Sequence, residues 1–253
     1  MINKEKMCIQ SRQLIAADTI EMVLKNRRVS QAASPGQFLH ISVPGHTLRR
    51  PISIADVDKD AGTTTILFKI NGSGTERLAA YTEEMHLDIL GPSGNGFPTA
   101  TASMEDHTIL LIGGGIGIPP LHYLGRTLAE QGKKVIAVLG FQSKSHVFYE
   151  KKFQQFAETF IVTDDGSYGN SGLVTDLLDD VTPFDRYYTC GPMPMLQAVT
   201  SKLAHKDGYL SLEERMGCGI GACFACVIPE AGTSGYRKIC KDGPVFQAEE
   251  VVL

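Results

Sequence analysis

The sequence predicts a β-barrel joined to an α/β layer, with a small cysteine-bearing module at the C-terminus. Three patterns predict it. Strand-length alternation broken by turns fills roughly the first hundred residues, and a strand, loop, helix rhythm starts at Thr108. Cysteines then follow in the order C-x4-C-x2-C, with a more distant fourth. The expected units are 1–99, 100–208 and 209–253.

Within the first unit, Ile66, Phe68 and Ile70 alternate with Thr65, Leu67 and Lys69, the period of a strand with one buried face. Turn chemistry separates the strands at Ser34-Pro35-Gly36, Pro44-Gly45, Asp60-Ala61-Gly62 and Gly91-Pro92-Ser93-Gly94. A small antiparallel barrel fits this spacing better than a sandwich, although periodicity alone does not separate the two. Ser73-Gly74-Thr75-Glu76 has the spacing of a capping box ahead of a helix from Arg77 to Tyr81. Pro98 to Asp106, poor in apolar residues, reads as a linker.

Beyond the linker, TILLI, GGGIGIPP, a helix ending at Gly132 and KVIAVLGF follow in turn. FIVTD with a helix near Leu173 to Leu178, then RYYTC with a helix from Met193 to about His205, continue the rhythm. Strands alternating with helices give a parallel sheet covered on its faces.

Four segments carry candidate chemistry. Gly113-Gly114-Gly115-Ile116-Gly117 lies between strand and helix, where backbone N–H groups favour a phosphate. Its spacing does not fit G-x-G-x-x-G, and a tight turn without a ligand stays open. Arg49 and Arg50 before Pro51, Ile52 and Ser53 form either a pyrophosphate fork or a solvated basic turn. Gly74 and Thr75 stand at a second anion site or a simple cap. Cys190 and Gly191 end a strand at the sheet edge where ligands bind in open α/β folds, and a lone cysteine there also reads as packing.

Cys218, Cys223, Cys226 and Cys240 have the ligand spacing of a plant-type [2Fe-2S] cluster, with the last interval shorter than in plant ferredoxins. A four-cysteine zinc site is the alternative, but zinc ribbons pair C-x2-C knuckles and only Cys223 and Cys226 have that spacing.

At 253 residues the chain can bury real cores, and a formal net charge of -4 gives no reason to expect nucleic acid. The apolar runs are strand-sized, no targeting segment is read, and the grouped cysteines suit a reducing compartment, so a cytoplasmic protein without a membrane span is expected. Seven scattered histidines lack metal spacing, and no carboxylate pair or nucleophile motif supports hydrolysis, so no catalytic acid or base is assigned.

Taken in order, RPIS, GSGT, GGGIGIPP and CGPMPML resemble the ferredoxin-reductase family of flavoproteins. With LEERMGCGIGACFACV and Cys240 added, the whole chain resembles the electron-transfer subunits of bacterial dihydroorotate dehydrogenase type B. The resemblance implies FAD held by Arg50, Pro51, Ile52 and Ser53, with Arg50 toward the pyrophosphate and Ser53 toward the isoalloxazine edge. Leu67, Phe68 and Lys69 would pass along the flavin, and Gly74 and Thr75 would meet its phosphates. Ile52 stands where the wider superfamily often has a ring-stacking tyrosine. Gly113, Gly114, Gly115, Gly117, Cys190 and Gly191 would form the side facing exchangeable NAD. The four cysteines would ligate [2Fe-2S].

The implied function is electron transfer in de novo pyrimidine (UMP) biosynthesis. Electrons would pass from the FMN of a separate catalytic subunit through [2Fe-2S] and FAD to NAD+, in a heterotetramer with two copies of each subunit. An NAD(P)H-linked subunit of a ferredoxin, sulfur or hydrogenase system would use the same parts. A zinc-dependent or redox-sensing binding protein is the alternative of another class.

Overall fold

The structure is a computed structural model that describes residues 3–99, 107–181 and 183–253. Most of the expected linker, from 100 to 106, lies outside the described residues. The first unit holds β1 (Lys4–Ala16), β2 (Thr19–Lys25), α1 (Arg27–Ala32), β3 (Phe38–Ile41), β4 (Arg50–Asp58), β5 (Thr63–Lys69), α2 (Ser73–Ala79) and β6 (His86–Ser93). Its six strands close in the order β1-β2-β5-β4-β3-β6, each pair antiparallel. Closure removes exposed strand edges, and Met7, Ile9, Met22, Ile54, Ile66 and Phe68 fill the interior.

Alternation in β5 breaks at one residue for a reason. Leu67 faces away from Ile66 and Phe68 but is also buried, in a second core shared with Ile109, Leu121 and Tyr188 of the α/β unit. The capping box at Ser73 is not formed. Gly72 is the N-cap and supplies no side chain, so Thr75 closes the turn instead, its Oγ1 accepting from Asn71 N at 2.8 Å and donating to the Gly72 carbonyl at 3.1 Å.

The second unit contains β7 (Thr108–Gly114), α3 (Ile118–Glu130), β8 (Lys134–Phe141), α4 (Glu150–Phe153), β9 (Ala157–Thr163), β10 (Asn170–Ser171), β11 (Arg186–Cys190), α5 (Met193–Lys202) and β12 (Asp207–Ser211). The helix expected near Leu173 is a single 3-10 turn, Val174–Leu177, with the Asp176 carboxylate accepting from Leu173 N at 2.7 Å. The third unit adds the short hairpin β13 (Val227–Pro229) and β14 (Tyr236–Lys238), and then β15 (Val245–Gln247). The sheet order is β10-β9-β8-β7-β11-β12-β15, parallel except where β15 runs antiparallel to β12. Thus β12 spans the 208/209 boundary expected from sequence, and β15 returns from the cysteine segment to complete the same sheet.

Helix α3 begins at Ile118, and Pro119 and Pro120 occupy its first turn, where N–H groups have no helical partner. It ends in a Schellman turn: Gly132 N donates to Ala129 O at 2.9 Å and Lys133 N to Leu128 O at 3.1 Å, with Gly132 at φ +83°. Nine of its residues are buried, since it lies between sheet and barrel and has two faces to cover. Leu121, Leu124 and Leu128 enter the α/β core, while Tyr123 joins the barrel core and donates to Ala33 O at 3.2 Å. Arg126 binds Asp56 Oδ1 of β4 through Nε at 3.0 Å and Nη2 at 2.6 Å, and Nη2 also reaches Val57 O at 2.9 Å.

Arg126→Ala is expected to cost about 1.5–3 kcal/mol, the range for hydrogen bonds to a charged group. A lowered thermal midpoint checks it, and a double-mutant cycle with Asp56→Asn should give a coupling on the order of 0.5–3 kcal/mol.

Candidate functional site

Strand β4 begins at Arg50, and the loop before it brings the two expected anion-binding segments together. The Arg50 guanidinium lies over Gly74 so closely that a Cβ there would stand 2.2 Å from Nη2. A larger residue there would have to push the end of the Arg50 side chain aside. Arg49 takes a different part: its Nη2 binds Asp88 Oδ1 at 2.6 Å, and Nη1 reaches the carbonyls of His40 and Asp88 at 3.1 Å each. It ties β3 to β6, leaving Arg50 as the guanidinium of the pair beside the Gly74 turn. Ile52 and Phe68 face the barrel core, Leu67 faces the α/β core, and Pro51 and Ser53 are half-buried.

A cavity of about 560 Å³ opens where β7, β8, β9 and β11 reach their C-terminal ends, the edge at which open parallel sheets bind ligands. Gly114 and Gly115 line it from the β7 turn, Gly191 from the end of β11, and Asp18 and Lys69 from the barrel. Lys69 Nζ pairs with Asp18 Oδ2 at 3.0 Å. Gly113 and Gly117 sit behind this wall: a Cβ on Gly113 would meet Ile118 Cγ1 at 2.7 Å, and one on Gly117 would meet the Cys190 carbonyl oxygen at 2.4 Å. The Cys190 side chain is fully buried in the α/β core, and burial first, then the nearby Glu213 charge, raises its thiol pKa despite a hydrogen bond from Ser211.

Glu213 is a functional candidate that motif reading missed. It follows β12 at the same sheet edge and lines the cavity. Its side chain is exposed at the cavity mouth, and the protein that crowds its carboxyl draws the pKa upward, toward about 7, against the screening of the solvent it still meets. A carboxylate just beyond a parallel strand was the available signal, but that signal names no ligand.

From Glu213 the chain runs directly into the cysteine loop, whose sulfurs fall into two pairs. Cys218 N donates to Cys223 Sγ at 3.4 Å and Cys223 N to Cys218 Sγ at 3.3 Å. Cys226 stands beside Cys240 closely enough for its thiol to act on the Cys240 pKa, and Gly221 N donates to Cys240 Sγ at 3.2 Å. At Cys218 burial raises the pKa, but the N–H groups of Ile220, Cys223 and Ala222 and the Cys223 thiol outweigh it, bringing it to about 6. Burial and the Cys226 thiol push Cys240 up to about 12. Among the described residues no three or more His, Cys, Asp or Glu side chains converge on a single ion. Two sulfur pairs suit a two-iron cluster with two thiolates per iron better than one tetrahedral zinc. Backbone N–H groups already aimed at sulfur are the kind of contact that tunes such a centre.

His40, on β3 beside this loop, is buried, and both ring nitrogens lack a hydrogen-bond partner. Burial and then the Arg49 charge lower its pKa to about 4, while the Arg49 backbone pulls upward without closing a hydrogen bond, so the ring is neutral at neutral pH.

The barrel, the parallel sheet with its edge cavity and the appended cysteine loop define a ferredoxin-reductase-like electron-transfer protein with an iron–sulfur-type module. A solved NADH-dependent reduced ferredoxin-NADP oxidoreductase matches with a TM-score of 0.88 at 30% identity, over 97% of this chain and 89% of that one. Phthalate dioxygenase reductase matches in fold at 0.63 and 19% identity, over 80% of this chain and 65% of that one. Residues 213–252 match the iron–sulfur cluster binding domain of dihydroorotate dehydrogenase B. The electron transfer subunit of dihydroorotate dehydrogenase B (NAD(+)) from Geobacillus kaustophilus (strain HTA426) is 48% identical over 258 residues, covering 100% of both chains. That from Shouchella clausii (strain KSM-K16) is 49% identical over 245 residues, covering 94% of each. The chain belongs to the family of dihydroorotate dehydrogenase B electron transfer subunits.

The raised pKa of Glu213 fixes the sign of a pH effect. A carboxyl whose native pKa is raised contributes stability that is complete below the ordinary value of 4.5 and is lost as pH rises through about 7, and at this exposed side chain solvent screening keeps that contribution small. In Glu213→Gln this component of the pH dependence should vanish. Denaturant titrations at several pH values between 4.5 and 8 check it, and an unchanged slope would refute the assignment.

Proposed function

We propose that this chain is the electron-transfer subunit of a dihydroorotate dehydrogenase B complex in de novo UMP biosynthesis, carrying electrons from the FMN of a catalytic partner through [2Fe-2S] and FAD to NAD+. The observation that carries the reading is the covalent run from Leu212, on the cavity wall, to Cys218, at the start of the sulfur pairs. A nucleotide cavity and an iron–sulfur loop so joined suit a protein whose task is to move electrons over a short path.

In this reading the barrel unit, 1–99, holds FAD, the sheet unit, 100–208, receives NAD, and the module, 209–253, holds the cluster, with β12 and β15 binding the last two together. Bound FAD supplies the exchange between two-electron nicotinamide and one-electron iron–sulfur chemistry. The residues of the chain bind and orient. Arg50 over Gly74 offers charge-assisted hydrogen bonds to the pyrophosphate, with Thr75 beside it and Pro51, Ile52 and Ser53 continuing along β4. Leu67, Phe68 and Lys69 form the adjoining strand, where the Lys69 ammonium faces the cavity. Gly113, Gly114, Gly115 and Gly117 shape the turn toward NAD, with Gly191 on the opposite wall and Cys190 as its packed floor. Cys218, Cys223, Cys226 and Cys240 would hold the cluster through their thiolates.

No acid or base in the cavity is needed to oxidise dihydroorotate, because that step belongs to the partner. Two copies of each subunit form the proposed assembly, and the six free cysteines suit a cytoplasmic location. Among the described residues no helix is long and apolar enough to cross a membrane. The likeness to the ferredoxin-NADP oxidoreductase favours, as a second reading, an NAD(P)H-linked subunit serving ferredoxin. Copurification with a catalytic subunit separates the two readings.

Arg50→Ala should weaken FAD retention by about 1.5–3 kcal/mol, tenfold or more in affinity. FAD release on dilution measures it, and unchanged occupancy would count against the role.

The isolated chain, with flavin and iron bound, should reduce artificial acceptors with NADH and fail to oxidise dihydroorotate. Adding the FMN subunit should confer NAD+-dependent oxidation, and Cys223→Ser should abolish that coupled activity while sparing the partner's own reaction with a dye. Stoichiometric zinc without iron after anaerobic purification, or dihydroorotate turnover by the isolated chain, would overturn the reading.

A further inference from the structure

Strand β3 meets the cysteine module at one buried polar side chain. His40 is 1% exposed and stands beside Phe38, the rings edge-on with centroids 6.4 Å apart. Neither Nδ1 nor Nε2 has a hydrogen-bond partner. A buried polar group left unsatisfied costs about 1–3 kcal/mol, and such groups are rare enough in folded proteins that each asks for an explanation.

The ring's surroundings indicate where its partner lies. A Cβ on Gly219 would come within 2.2 Å of His40 Nδ1 and 2.6 Å of Cε1, so this edge of the imidazole rests against the residue that follows Cys218. Gly219 has φ +70°, which turns the loop around the Cys218 sulfur. Phe38, two residues earlier on the same strand, shares a buried cluster with Met216, Cys226 and Cys240. The barrel therefore covers the cysteine loop with an apolar ring and, beside it, a ring with an unused N–H. Loop N–H groups from Ile220 and Cys223 already approach Cys218 Sγ, at 3.5 and 3.3 Å. His40 offers a donor from the barrel side, which the loop cannot supply itself.

We propose that His40 is a tuning residue for the iron–sulfur centre, its unpartnered ring N–H beside the Gly219 loop donating to a sulfur of the cluster and raising the cluster's reduction potential. The inference rests on the assignment of the four cysteines to [2Fe-2S]. Reduction adds negative charge shared by the sulfurs, and a fixed donor stabilises the more negative state. The same contact seats the cluster loop on the barrel that carries Arg50 to Ser53.

The test uses the full-length chain purified with its cofactors. Iron, sulfide and flavin are measured first, and a wild-type chain without iron and sulfide overturns both the cluster assignment and this inference. With the cluster present, pulsed EPR of the reduced protein labelled with 15N-histidine should show a histidine nitrogen coupled to the cluster. That coupling should be absent in His40→Leu. In a potentiometric titration, His40→Leu should lower the ratio of reduced to oxidised cluster at fixed potential about tenfold, close to 59 mV for one electron. His40→Asn, which keeps a donor near the Nδ1 position, should recover most of the shift. A His40→Leu protein with full iron content, unchanged coupling and unchanged midpoint overturns the inference while leaving the cluster assignment standing. If His40→Leu does not hold a cluster, the labelled wild type decides alone, and absence of histidine coupling overturns the inference.

Discussion

The docking of α3 on β4 is the contact on which the arrangement of the site depends. β4 starts at Arg50 and α3 starts just after Gly117, so the candidate flavin segment and the candidate nicotinamide turn lie on two elements held by one interface. Asp56 and Val57 receive Arg126, Ala55 O lies 3.2 Å from His122 Nδ1, and Tyr123 enters the barrel core. Burial on two faces makes α3 a shared core element, and such elements are costly to displace. Both candidate segments are thereby anchored to a shared packed interface.

The cysteine module is joined to both other units. β15 extends the sheet beside β12, Asn95 N donates to Gly243 O at 2.7 Å, and Asn95 Nδ2 reaches the Asp242 carbonyl at 3.0 Å. Within the loop, Lys238 Nζ donates to Gly221 O at 2.8 Å and lies 4.3 Å from the centre of the Phe224 ring. A segment with little regular structure of its own gains a fixed position this way.

The elements that could be read from sequence were those with local causes. The strands of the barrel, the first-turn prolines of α3, the Gly132 stop and the cysteine spacing each follow from neighbours along the chain. What could not be read depended on partners distant in sequence. Leu67 looked like the outer face of a strand but is covered by the α/β core. Arg49 and Arg50 are indistinguishable by type, yet one holds Asp88 and the other lies over Gly74. Glu213 gains its character from a cavity assembled by several strand ends. His40 looked like one of seven scattered histidines until β3 was placed against Gly219.

These last residues share a physical theme. His40 is neutral because burial lowers its pKa to about 4, and Cys190 stays a thiol because burial raises its pKa. Glu213, whose pKa the surrounding protein draws upward, stands exposed at the edge of this region. The exposed Glu213, Glu214 and Arg215 between the cavity and the cysteine loop thus keep contact with solvent, while His40 and Cys190 are dry and uncharged. In such a setting, charge arriving on a bound group is poorly screened, and each hydrogen bond to it is worth more than in water. A fixed donor in such a setting would shift the potential of a group bound beside it. Selection would act on buried N–H groups in such a protein, since a surface charge of the same sign is screened by solvent before it reaches the path.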